Sequence, residues 1–132
     1  MSLTLQEAEK IVDGALAKAA ELGIKISAAV LDAGGRLIAF KRMDKATWAS
    51  VYGSQGKALA SVSFGQTSGN LQARAEAPII RGIAHLEGDH MIPSQGAVPI
   101  IRDGAVVGAC GVGGGTAQED EDCANAGLKA IS

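Results

Sequence analysis

The fold of this chain is decided by residues 97–112, which read Ala97-Val98-Pro99-Ile100-Ile101-Arg102-Asp103-Gly104-Ala105-Val106-Val107-Gly108-Ala109-Cys110-Gly111-Val112. Two runs of apolar and β-branched residues flank Asp103-Gly104, a dipeptide that readily adopts the positive φ angles of a tight turn. The pattern predicts an antiparallel hairpin with strands over residues 97–102 and 105–112. Pro99 has no N–H to donate to a neighbouring strand, so its strand is expected at a sheet edge or to begin after it.

The segment that precedes this hairpin predicts a helix and then another hairpin. Thr4 and Glu7 form the Thr-x-x-Glu pattern of a capping box, and apolar residues then recur at helical spacing as far as Leu22. Gly23 is expected to end the helix. The predicted elements are a helix over residues 4–22, a strand over 24–31, a turn over 32–35 and a strand over 36–41.

Two further helices complete the predicted order. Apolar residues at helical spacing predict a helix from residue 47 to about 63, and a second capping box at Thr116 and Glu119 predicts a final helix that ends near Ile131. Residues 64–96 are the least legible, with a helical tendency over 69–77 that Pro78 is expected to end. The fold class is α+β, an antiparallel sheet of about five strands with helices packed on it.

The composition indicates one aromatic-poor domain. The 132 residues are 47% hydrophobic and 20% charged, which is enough apolar material for one core over residues 1–132. With 18 glycines and 3% aromatic residues, this core must contain small aliphatic side chains, and their close packing is compatible with self-association. Cys110 and Cys123 lie in apolar or helical patterns, so they are expected to be buried free thiols.

The charge and hydropathy patterns exclude two classes of partner. The net charge of −2 and the isoelectric point near 5.6 lack the basic field that binding to nucleic acid requires. No stretch approaches the roughly 20 apolar residues of a membrane span, and the N-terminus enters an amphipathic pattern without a signal region. The expectation is a cytoplasmic protein that binds neither nucleic acid nor membrane.

Three segments, taken in their order and spacing, resemble one protein family. They are residues 30–37 with Arg42-Met43-Asp44, the Gly56-Lys57-Ala58 step, and residues 103–122 with their triple glycine. In these motifs nearly the whole chain is similar to the GlcG/HbpS-like haem-binding (haem-degrading) family, which includes the C-terminal domain of PduO-type corrinoid adenosyltransferases. The resemblance implies a profilin-like or PAS-like fold, assembly into dimers or higher homo-oligomers such as octamers, and haem binding in some members.

The resemblance makes haem a candidate cofactor, but the chain departs from the family in its histidines. Haem iron is usually held by a histidine nitrogen, and family examples have histidines in or near the N-terminal helix. The predicted first helix has none, which leaves His85 and His90 as the only imidazoles. Either is a candidate axial ligand, and both, with Glu87 and Asp89, are candidates for binding zinc, iron or manganese, although their spacing matches no strong metal signature. The alternative is a solvated polar loop.

Arg42, Asp44 and Lys57 form a second candidate ligand-binding set. A guanidinium and an ammonium could hold a propionate or another small carboxylate while Asp44 orients Arg42. The structural alternative is that Asp44 caps the second helix or forms a salt bridge, and that Lys57 extends to solvent along a helix face. The residue types alone leave both interpretations open.

The leading functional hypothesis is a homo-oligomeric protein that binds a small molecule, with haem or a related tetrapyrrole as a candidate ligand. One alternative is a small-molecule enzyme, an isomerase, hydrolase or lyase of organic-acid or aromatic catabolism. In it, Arg42 would stabilise an enolate or carboxylate opposite His90 or Glu87 across a subunit interface. Another is a structural assembly subunit. No nucleotide fingerprint, Ser-His-Asp order or paired zinc motif assigns a reaction, so catalysis stays open.

Overall fold

The computed structural model describes residues 2–132, and it contains five helices and four strands in that range. The helices are α1 (Leu5–Leu22), α2 (Ala49–Phe64), α3 (Ser68–Gln72), α4 (Pro78–Leu86) and α5 (Ala117–Lys129), and the strands are β1 (Ser27–Asp32), β2 (Leu37–Arg42), β3 (Ala97–Arg102) and β4 (Ala105–Gly113). Both predicted capping boxes are present, at Thr4 with Glu7 and at Thr116 with Glu119. The α+β class is therefore confirmed.

The strands form one antiparallel sheet in the order β2-β1-β4-β3. The predicted hairpin of β3 and β4 is present, and both of its turn residues, Asp103 (φ 50°) and Gly104 (φ 78°), have the positive φ angles that this tight turn requires. Pro99 pairs with Ala109 on a strand that lies at the sheet edge, as its missing N–H predicts.

The expectation of about five strands is wrong, because within residues 2–132 the sheet has four. The segment over residues 64–96, whose structure the sequence left open, forms the short helices α3 and α4 and no strand. As predicted, no helix runs through Pro78: α3 ends at Gln72, and the proline begins a separate helix, α4, which the sequence analysis did not predict. At the first turn of a helix the missing proline N–H costs no hydrogen bond, and the fixed φ angle suits the helix.

Helices cover both faces of the sheet. Alternate residues of β1 point to opposite faces: Ala28 and Val30 pack in a core with Ile11 of α1 and Cys123 of α5, whereas Leu31 packs in a separate core against α2. The sheet is therefore the middle layer between the α1–α5 pair and α2.

The outer side of α2 is covered by the segment that follows it. Ala60 of α2 packs with Leu71 of α3, Ile80 of α4 and Met91 in a third buried cluster. This packing holds the chain around residues 89–92 beside α2, close to the hairpin formed by β1 and β2. Among residues 2–132, no helix combines the length and the apolar character that crossing a bilayer requires.

Candidate functional site

A cleft of about 420 Å³ lies between the β1–β2 hairpin, α2 and residues 89–92. Leu31, Leu59 and Ile92 give it an apolar surface, and Arg36, Asp89 and His90 are the ionisable residues on its lining. A volume in this range, with few polar groups on an apolar lining, is typical of small-molecule sites. Three other depressions, of about 570, 550 and 450 Å³, are larger, but all three are more open than this cleft.

One wall of the cleft depends on Gly56 in α2. The N–H of Ile92 donates a hydrogen bond to the Gly56 carbonyl at 3.0 Å. A Cβ atom at this position would lie 2.5 Å from two side-chain carbons of Ile92 and 2.9 Å from the carbonyl oxygen of His90. Residues 90–92 can lie this close to the helix only because position 56 has no side chain.

The opposite wall is the turn of the β1–β2 hairpin. Asp32 Oδ1 accepts hydrogen bonds from the N–H groups of Gly34, at 2.9 Å, and Arg36, at 3.0 Å, which fixes the turn. A Cβ atom at Gly35 would lie 2.9 Å from Leu59 Cδ1, so the turn packs directly against α2. The Arg36 side chain is thereby held on the lining of the cleft.

Two aromatic side chains lie at the start of α2 beside the cleft. Tyr52 lines the cleft, and its ring lies 6.1 Å from that of Trp48 in an edge-to-face arrangement. The two residues are 67% and 70% exposed. Exposed aromatic residues next to an apolar cleft are typical of binding surfaces, because they offer large apolar area at low conformational entropy cost.

His85, Glu87 and His90, the candidate residues of the predicted polar loop, lie in different places in the structure. His90 lines the cleft, whereas His85 is in the last turn of α4, is 82% exposed and lies 3.9 Å from Asp89. Glu87 is the C-cap residue of the same helix. Among residues 2–132, no group of three or more His, Cys, Asp or Glu side chains is arranged to hold a metal ion.

The second predicted set is not joined by hydrogen bonds or ion pairs in the described part of the chain. Arg42 donates two hydrogen bonds, from Nε at 3.1 Å and Nη2 at 2.9 Å, to the carbonyl of Ala46. Asp44 does not cap α2, whose N-cap residue is Trp48 without a side-chain hydrogen bond. The cap interpretation of Asp44 is therefore wrong.

Lys57 is buried rather than extended to solvent, which corrects the structural alternative for this residue. Its Nζ donates to Asp120 Oδ2 at 2.9 Å, and the two residues are 7% and 3% exposed. Asp120 Oδ1 also accepts from the N–H of Gly115 at 2.8 Å. Burial raises the pKa of Asp120, and the ammonium of Lys57 opposes that shift. The pair thus connects α2 to the beginning of α5, away from the cleft lining.

Cys110 and Cys123 are buried free thiols, as their sequence context predicts. Burial raises the pKa of Cys110 to about 12. The pKa of Cys123 is raised to about 11, first by burial and then by the carboxylates of Asp120 and Asp122. Thiols with pKa values this high are poor nucleophiles near neutral pH.

Comparison with known proteins identifies the family. The family model described as "Haem degrading protein HbpS-like" matches residues 3–129. The chain belongs to the HbpS-like family. The protein GlcG of Escherichia coli (strain K12) is 31% identical over 118 residues, which cover 83% of this chain and 80% of GlcG. The resemblance expected from the three sequence motifs is confirmed.

Two solved structures share the fold. The crystal structure of HbpS is 28% identical, has a TM-score of 0.90 and aligns with all of this chain and 92% of its own. A crystal structure of a PduOC–haem complex also has a TM-score of 0.90, covering all of this chain and 96% of its own, but it is 22% identical and supports the fold alone.

Sequence reasoning missed Arg36 and Tyr52 as lining residues. Arg36 lies within the motif over residues 30–37 that indicated the family, but there it looks like an ordinary residue after a turn. Tyr52 looks like an exposed helix position. Their placement depends on how α2 packs against the hairpin, which local spacing does not encode.

Proposed function

We propose that this protein binds haem or a related tetrapyrrole in the cleft between the β1–β2 hairpin, α2 and residues 89–92, with His90 as the axial ligand. The observation that carries this proposal is that His90 is the one histidine on the lining of a largely apolar cleft. Membership of a family described as haem-degrading supports it further.

The residues of the cleft fit the chemistry of haem. An imidazole nitrogen is a common donor to haem iron. Leu31, Leu59 and Ile92 offer apolar surface to a macrocycle, and Tyr52 extends that surface to the rim. When bound, the haem would supply the iron centre, while the protein holds and orients it. His85 is the less suitable donor, because it lies in the last turn of α4 and does not line the cleft.

The test is a haemin titration of the wild-type protein, His90→Ala and His85→Ala, followed by the Soret band. We expect a shifted Soret band with saturation in wild type and in His85→Ala, and loss of that shift in His90→Ala. A wild-type protein without a Soret shift would refute haem binding. An unchanged shift in His90→Ala would refute the assignment of the ligand.

We also propose that the protein is a homo-oligomer with a profilin-like or PAS-like fold. Large apolar side chains that are at least 49% exposed support self-association, and they include Leu37, Trp48, Tyr52, Ile79 and Leu86. An antiparallel sheet with β1 and β4 at its centre and helices on both faces is compatible with a profilin-like or PAS-like fold. Sedimentation equilibrium is the direct test of assembly, and a single species at the chain mass of 13.3 kDa would contradict it.

The enzyme hypothesis receives less support from the site. It requires Arg42 to act with His90 or Glu87, but the Arg42 guanidinium donates to the carbonyl of Ala46 and is not part of the cleft lining. No observation on the described residues favours a particular reaction, so binding is the better-supported function.

A further inference from the structure

Arg36 differs from the other arginines of the chain in its position and its partners. It lines the cleft, and its guanidinium donates a single hydrogen bond, from Nη1 to the carbonyl of Gly34 at 3.2 Å. Within residues 2–132 no carboxylate forms an ion pair with it. The remaining arginines contact residues outside the cleft: Arg42 contacts Ala46, Arg74 contacts Gln66, Arg81 contacts Glu76 and Arg102 contacts Glu7.

The nearest carboxylate in sequence does not neutralise Arg36. Asp32 Oδ1 accepts hydrogen bonds from the backbone N–H groups of Gly34 and Arg36, and this contact orders the turn without pairing with the guanidinium. The backbone of Arg36 is therefore fixed while most of its side-chain donors stay available. A guanidinium in this state is well suited to a carboxylate, which it can bind through two parallel hydrogen bonds.

The opposite wall includes one acidic residue. Asp89 lines the cleft next to His90, on the segment that packs against Gly56. Its Oδ1 lies 3.9 Å from Nδ1 of His85, which is outside the cleft, so on the described lining Arg36 is the one arginine or lysine that an anionic ligand would meet. The apolar side chains between the two walls would contact the body of the ligand.

We infer that Arg36 is the anion-binding residue of the cleft, and that its ligand is an apolar molecule with a carboxylate at the edge facing the β1–β2 turn. This inference rests on the proposed function, because it assumes that the cleft is the ligand site. It is independent of iron ligation by His90, so the two assignments can fail separately.

The experiment compares acidic and neutral forms of the same probe. Protoporphyrin IX and its dimethyl ester are titrated into wild type, Arg36→Gln, Arg36→Lys and the control Arg74→Gln, with quenching of the single tryptophan, Trp48, as the readout. We expect Arg36→Gln to weaken binding of the acid by about tenfold and to leave binding of the ester unchanged. Arg36→Lys should recover part of the loss, and Arg74→Gln should bind both forms as wild type does.

A second probe pair separates this inference from haem binding. The anionic dye 8-anilinonaphthalene-1-sulfonate and the neutral N-phenyl-1-naphthylamine share an aromatic framework and differ in charge. If wild type binds no porphyrin, a loss of affinity in Arg36→Gln for the anionic dye alone supports the role of Arg36 while haem binding is refuted. The inference is overturned if Arg36→Gln changes the affinity for the charged and the neutral probe equally, or changes neither affinity. It is also overturned if the wild type binds neither the porphyrins nor the dyes. A Soret shift that needs His90 would then still support the proposed function.

Discussion

Lys57 and Asp120 form a buried ion pair, with 2.9 Å between Lys57 Nζ and Asp120 Oδ2, that joins the central helix α2 to the first turn of α5. The side chains are 9% and 4% exposed. Taking either charge out of water is costly, so each depends on the other. Asp120 additionally accepts from Gly115 N–H, which places its negative charge at the positive end of the α5 dipole.

Removing one partner of this pair should destabilise the protein strongly. Lys57→Met or Asp120→Asn alone should lower the free energy of unfolding by about 3–5 kcal/mol in favourable geometry, because each leaves an uncompensated buried group. The double variant should lose less than the sum of the single losses, with a coupling of about 1–3 kcal/mol. Asn keeps an oxygen that can accept from Gly115. Urea unfolding of the wild type, the two single variants and the double variant measures this double-mutant cycle.

The exposed pair of Lys18 and Glu21 provides the matched control, at 3.3 Å with side chains 31% and 71% exposed. The cycle of Lys18→Met and Glu21→Gln should give a coupling below about 0.5 kcal/mol, since water screens this pair. Similar couplings in the two cycles would mean that burial does not strengthen the pair of Lys57 and Asp120.

The ion pair of Glu7 and Arg102 should make stability depend on acid pH. The pKa of Glu7 is lowered from 4.5 to about 2, first by the hydrogen bond from Arg102 and then by the backbone N–H of Thr4. Between these pH values the unfolded state binds more protons, so this contribution is fully present above pH 4.5 and is lost as the pH falls towards 2. Glu7→Gln keeps a side-chain oxygen that can accept the hydrogen bond from the Thr4 N–H, but it removes the negative charge.

The measurement is the urea midpoint of wild type and Glu7→Gln across this acid range. We expect the wild type to be more stable at pH 6, and the difference to shrink progressively below pH 4.5. Glu9→Gln, at an exposed position of α1, is the control and should follow wild type. A difference between wild type and Glu7→Gln that is independent of pH would contradict the role of the charge.

The regular elements were predictable because their signals are local. Thr4 and Thr116 each form a capping box with the Glu three residues later. Asp103 and Gly104 form the turn of a hairpin whose strands are adjacent in sequence. The helices α3 and α4 were not predictable in the same way. Residues 79–86 have an amphipathic apolar pattern, but Pro78 was interpreted as the end of a helix, and the helix that it begins packs through Ile80 against Leu71, which local spacing does not encode.

The candidate site was only partly predictable, for the same physical reason. His90 was identified by residue type, since it is one of two imidazoles in the chain, and the structure puts it on the cleft. Arg36 was missed because its role depends on the hairpin turn packing against Leu59. Lys57 was considered for its charge, but its burial against Asp120 connects residues far apart in the sequence.

The two thiols should be unreactive in the folded protein. With pKa values of about 12 for Cys110 and about 11 for Cys123, less than about 1% of either is thiolate at pH 8. Ellman's reagent should therefore label neither cysteine within the time in which a free peptide thiol reacts fully. Both should react once guanidinium unfolds the chain. Rapid labelling of the native protein would show that the core around Cys110 opens easily.

The approach of residues 90–92 to α2 should depend on Gly56, and Gly53 in the same helix gives a matched test. A Cβ at Gly56 would meet Ile92 at 2.5 Å and the His90 carbonyl at 2.9 Å, whereas a Cβ at Gly53 would meet nothing within 4 Å. Gly56→Ala should cost about 1–3 kcal/mol of stability through overpacking, and it should shift His90 and weaken haemin binding. Gly53→Ala should stabilise the helix by about 0.5–1 kcal/mol and leave binding unchanged. Thermal unfolding measures the stability of both variants, and a Soret titration measures their affinity for haemin. Equal haemin affinities of Gly56→Ala and Gly53→Ala would show that the wall built on Gly56 does not form the ligand site.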